Sequence, residues 1–130
     1  MSERPLPIVP AWRWWSGFGA VVAGGFYLTV LAYQEGLPAI FQRVPQSDKI
    51  VHFTIGGLLV FFLDGALRRR TAFTVDHRAI PLAALVVLVP AGIEETLQRY
   101  SVHRTSSIWD FLADLFGVLV FLPLSRRLAR

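Results

Sequence analysis

Between two strongly apolar runs the chain places Glu94, Glu95, Gln98, Arg99, His103, Arg104, Asp110 and Asp114. A second group, Asp48, Lys49 and His52, opens an earlier apolar run. Ionisable groups this close to lipid-grade sequence are costly unless paired, so together they form a candidate site. The residue types suit three kinds of chemistry. His52 titrates near neutral pH and, with Glu95 and Asp110, has the make-up of an acid–base set. Lys49 and Arg104 suit a phosphate or carboxylate, the arginine through its planar fork, with Glu95 and Gln98 orienting them. Asp48, His52, Glu95, Asp110 and Asp114 are metal-ligand types. However, Lys49 and Arg104 raise the cost of a divalent ion there, so no metal or other cofactor is expected. Ser101, Ser106 and Ser107 lie in no Gly-x-Ser-x-Gly elbow, and nucleophilic catalysis has no sequence support.

Spacing places these residues on helix faces. Asp48 and His52 are four apart, as are Asp110 and Asp114, and Glu95 and Gln98 are three apart. Several members also have a plain structural reading. Ser107-Ile-Trp-Asp110 matches a capping box in which Asp110 reaches back to the cap. Asp48 suits the positive end of a helix dipole. Arg99 and His103 suit a headgroup layer, Trp109 an interfacial anchor, and Glu94 the membrane boundary. Asp114 lies nearly two turns into its helix, too deep for capping, and needs either a partner, for which Arg104 is the candidate, or protonation. Asp64 is expected to pair with Arg68, four residues on.

The elements that must position these groups are long apolar helices. Hydrophobic residues make up 54% of the 130 residues, and mean hydropathy is +0.50, too apolar for an ordinary soluble domain of this size. Residues 1–11 form a short Pro-rich segment, and residues 12–130 read as a single transmembrane domain. Four helices are expected, over about 12–34, 48–67, 79–100 and 107–124, an all-α polytopic bundle. The first run carries no charge from Trp14 to Tyr33, and about 20 apolar residues span a bilayer. A cleaved signal peptide fits less well, because the run is long and no Ala-x-Ala site clearly follows. Ser16, Ala20 and Gly24 form a small-residue stripe suited to close helix contact. Arg68 to Arg78 reads as a basic loop, Pro81 as part of the first turn of the third helix, and Pro123 as the end of the fourth. Only Ala79 to Ile93 is apolar in the third helix, roughly 22 Å of rise. Glu94 and Glu95 therefore reach the membrane boundary.

Net charge is +4, with twelve Arg, one Lys and no Cys. The basic residues flank apolar runs, as topology signals do, and nucleic-acid binding is not expected. Nine of them fall on the side of the N-terminus, the 68–78 loop and the C-terminus, and four on the other side. By the positive-inside rule both termini are cytoplasmic and the polar residues share the outward end.

Asp48-Lys49-x-x-His52, then Glu95-x-x-Gln98, then Arg104, then Asp110-x-x-x-Asp114-x-x-Gly117 resembles the VanZ-like family of small bacterial membrane proteins. The resemblance covers about residues 48–117. The family commonly has Asn at the position of Asp114 and a further Gly at that of Phe121. The resemblance implies a multi-pass protein of the bacterial cytoplasmic membrane with a role in the cell envelope. The resulting expectation is a protein whose outward polar cluster binds an anionic lipid head group, an envelope component or a membrane-protein partner. The ligand-binding residues are then Asp48, Lys49, His52, Glu95, Gln98, Arg104, Asp110 and Asp114. The alternative is a membrane-embedded enzyme acting on a lipid-linked substrate through His52, Glu95 and Asp110.

Overall fold

A computed structural model of the chain describes residues 8–34, 36, 38–102 and 107–128. The fold is mostly helical. In chain order the elements are α1 (Ala11–Tyr33), α2 (Ala39–Arg43), α3 (Ser47–Ala66), β1 (Thr71–Val75), β2 (Arg78–Pro81), α4 (Leu82–Gln98) and α5 (Ile108–Leu128). Helices α1, α3 and α5 are long and apolar enough to cross a membrane. At 17 residues α4 rises about 26 Å.

Helix α3 is the centre of the bundle, with α1, α4 and α5 all packed on it. Because α4 carries the chain back between them, α3 and α5 run parallel. Lys49 meets Asp110, His52 meets Asp114 and Asp64 meets Arg126, a nearly constant offset along both helices. Close approach depends on Gly117, where a Cβ would lie 2.3 Å from the Phe53 carbonyl oxygen. Val60, Leu63, Ala83, Ala84, Val87 and Val118 form the buried apolar core of α3, α4 and α5.

Helix α1 covers the other flank of α3. Trp14 is buried on Gly65, with ring centroids 5.5 Å from Phe61 and 6.3 Å from Phe62. The face of α1 that packs carries Trp14, Gly17 and Gly25, which meet Gly65, Phe62 and Ile55. The expected stripe of Ser16, Ala20 and Gly24 is exposed instead. Packing follows the large aromatic Trp14, whose helical face excludes those three positions.

Four further sequence expectations are corrected. The basic segment is an antiparallel hairpin, Thr71–Val75 against Arg78–Pro81, with Asp76 and His77 at φ 46° and 64° in its turn. Two consecutive positive φ values suit the right-handed twist of a two-residue hairpin. Arg78 to Pro81 therefore belongs to a strand, and α4 starts at Leu82, with Pro81 at its N-cap. Between the first two expected helices, where none was expected, Ala39–Arg43 forms a short helix after Pro38. Pro123 does not end the last helix. It removes one backbone donor, but α5 continues to Leu128, its final turn tied to α3 through Arg126 and Asp64.

Candidate functional site

The starts of α3 and α5 and the end of α4 lie at one end of the bundle. Parallel α3 and α5 align their first turns, so two long-range pairs form between them. His52 Nδ1 lies 3.1 Å from Asp114 Oδ2, with both side chains largely buried. Lys49 Nζ lies 3.2 Å from Asp48 Oδ2 and 3.4 Å from Asp110 Oδ1. The second contact is one of charge, without hydrogen-bond alignment at that buried oxygen. The partner of Asp114 is thus His52. Arg104, its expected partner, lies outside the described residues, as does His103.

Glu95 and Gln98 share one helix face, as their spacing requires, and both are buried. Glu95 Oε1 accepts the backbone N–H of Ser107, the residue preceding α5. Gln98 Nε2 donates to Glu94 Oε1 at 3.0 Å, and Glu94 itself is exposed. The capping box therefore takes a different form. Ser107 Oγ accepts from the Trp109 amide at 3.3 Å, but the Ser107 amide is met by Glu95 from α4 rather than by Asp110. A carboxylate from a neighbouring helix satisfies the orphan donor, and Asp110 turns toward Lys49. Trp109 is 64% exposed at this end.

Beside this polar end lies a cavity of about 1230 Å³. Its floor is α3, with His52, Ile55, Gly56 and Leu59, and Asp114 of α5 reaches it behind Gly56. One wall is α1 (Phe18, Val22, Gly25, Phe26) and the other is α4 (Val86, Pro90, Ala91, Glu94). Phe41 and Val44 of the α2 region close the polar end, together with Asp48. Helices α1 and α4 are not packed on each other, and Val22, Phe26 and Val86 on the rims are exposed. The cavity is thus a side groove, apolar along its length and polar at one end. Of the eight residues expected to bind ligand, Asp48, His52 and Asp114 line it. Lys49, Glu95 and Asp110 are engaged between helices, and Gln98 holds Glu94.

A second buried charge sits at the opposite end. Asp64 is 0% exposed and receives Arg126 in a fork, Nε to Oδ2 at 3.3 Å and Nη2 to Oδ1 at 3.4 Å. The expected Asp64–Arg68 pair is replaced by this one, because Arg68 follows the helix end with φ 50° and is exposed. Both partners were visible in the sequence at the same end of two long helices. What was missing was that those helices are neighbours. Buried Ser125, the residue before Arg126 in α5, is another residue that sequence reasoning passed over.

Among the described residues, no three of His, Asp and Glu gather as a group that could hold a metal ion. No family model, curated protein or solved structure matches the chain.

Proposed function

We propose that the chain is a multi-pass protein of the bacterial cytoplasmic membrane, of the VanZ-like kind, whose outward polar end binds the head group of an envelope lipid. The observation that carries this reading is the pairing of His52 with Asp114 and of Lys49 with Asp110 at one end of two parallel, span-length apolar helices. Two parallel spans need a return crossing between them, and α4 supplies it as the fourth span. Its 17 residues fall a little short of a hydrocarbon core of roughly 30 Å, which leaves Glu94 and Glu95 at the boundary. Large apolar side chains are exposed along the helices, including Phe26, Val89, Ile93, Phe116 and Leu119. Such a surface suits lipid rather than water. The nine-to-four distribution of basic residues supports a topology with both termini in the cytoplasm and the His52 end outside.

The reading is tested in two steps. The chain is expected to stay in the membrane fraction through alkaline carbonate extraction, and release into the supernatant would contradict it. Purified protein in nanodiscs is then expected to retain envelope lipid unchanged. One observation favours a second reading, a membrane-embedded enzyme. His52 lines the groove while Asp114 engages its Nδ1, the orientation an acid–base histidine needs. Consumption of the lipid, abolished in His52→Ala, would replace binding by catalysis.

A further inference from the structure

From the groove between α1 and α4 we infer that the bound lipid is a phospholipid with a primary ammonium head group, its acyl chain along the groove and its ammonium among Asp48, Glu94 and Asp114. This rests on the membrane reading proposed above and names the ligand class for the same end of the molecule. Three features of the groove carry it.

The first is size and shape. The volume of about 1230 Å³ exceeds the roughly 300–1,000 Å³ of ordinary small-molecule pockets. An elongated ligand fits it better than a compact one. The second is its long opening. Among the described residues helix α1 packs mainly on α3, and the apolar rims on α1 and α4 are exposed. In a bilayer that gap faces acyl chains, and a lipid enters sideways without leaving the hydrocarbon.

The third is charge. The polar end of the groove holds Asp48, Glu94, Asp114 and His52, and neither Lys nor Arg lines it among the described residues. Asp48 is matched by Lys49 at 3.2 Å and Asp114 by His52 at 3.1 Å. Glu94 has the neutral amide of Gln98 at 3.0 Å. Among the described residues the lining therefore carries an excess of negative charge. A primary ammonium brings three donors and a positive charge to it. A phosphate-only head group would meet the carboxylates of Asp48, Glu94 and Asp114 at the polar end, and like charges there oppose it. A quaternary ammonium has the charge without the donors.

The test uses full-length protein in nanodiscs of phosphatidylethanolamine, phosphatidylglycerol and phosphatidylcholine in equal parts, with retained lipid read by native mass spectrometry. Phosphatidylethanolamine is expected to be retained over both others. Glu94→Gln is expected to lower that retention by about fivefold, the upper weight of one exposed ion pair. Gly25→Phe and Ala91→Phe, which fill the groove from opposite walls, are expected to abolish retention of all three lipids without releasing the protein from membranes. Preference for phosphatidylglycerol, equal retention of the three, unchanged selectivity in Glu94→Gln, or undiminished retention in both filled variants would each overturn the inference. Extraction of the wild-type chain by carbonate would instead remove the membrane reading beneath it.

Discussion

The α-carbon of Gly117 faces the carbonyl oxygen of Phe53. A Cβ there would lie 2.3 Å from that oxygen and 2.9 Å from the Gly57 amide nitrogen. This contact sets the separation of α3 and α5, and hence whether His52 reaches Asp114. Gly117→Ala is expected to destabilise the protein by ~1–3 kcal/mol, as overpacking does. Gly24→Ala has open space around it and is expected to leave stability unchanged or slightly raised. Thermal unfolding in detergent compares the two, and equal melting temperatures would contradict the contact.

His52 and Asp114 are expected to be coupled. A double-mutant cycle of His52→Ala and Asp114→Ala is expected to give an interaction energy of ~1–3 kcal/mol, the range of a hydrogen bond to a charged group. Asp114→Asn keeps a side-chain oxygen that accepts from the ring N–H, so it is expected to lose less than Asp114→Ala. Additive effects of the two alanine substitutions would show that the residues do not act as a pair.

At the other end, Arg126→Ala strands a fully buried Asp64 and is expected to be strongly destabilising. Breaking a buried pair costs ~3–5 kcal/mol, and the low end applies because the Arg126 side chain is 35% exposed. Arg68→Ala is expected to be close to neutral. Adding Asp64→Ala to Arg126→Ala is expected to recover part of the loss. A larger effect from Arg68→Ala would restore the local pair expected from sequence.

Glu95 is expected to act through the start of α5. Glu95→Ala leaves the Ser107 amide without its acceptor, a loss of ~1–3 kcal/mol if no water replaces it. Glu95→Gln retains an acceptor oxygen and is expected to lose less. Amide hydrogen exchange at Ser107 separates the cases, and unchanged protection in Glu95→Ala would contradict the contact.

The long helices were legible because an uninterrupted apolar run is a one-dimensional signal. So was the shared face of Glu95 and Gln98, since three-residue spacing fixes it. Partner choice was not legible. Periodicity gives the face of a helix but not its neighbour, so Asp64 was matched to nearby Arg68 instead of Arg126, and Asp110 to its own cap. The hairpin was hidden by its short strands, of five and four residues, and the arginines around it. Thr71, Thr74 and Val75 before Asp76-His77 were the available signal. The groove was the least legible feature, because it arises from α1 and α4 both resting on α3 without packing on each other.

Sidedness is the central claim, and the absence of cysteine from the chain makes it directly measurable. Val102→Cys, at a site 96% exposed beside the polar end, and Thr74→Cys, exposed in the hairpin, are placed singly in the full-length protein. Each is treated in intact spheroplasts with a membrane-impermeant maleimide, then again after permeabilisation. Val102→Cys is expected to label in intact spheroplasts and Thr74→Cys only after permeabilisation. Labelling of Thr74→Cys in intact spheroplasts, with Val102→Cys protected, would place the His52–Asp114 end in the cytoplasm and contradict the outward site.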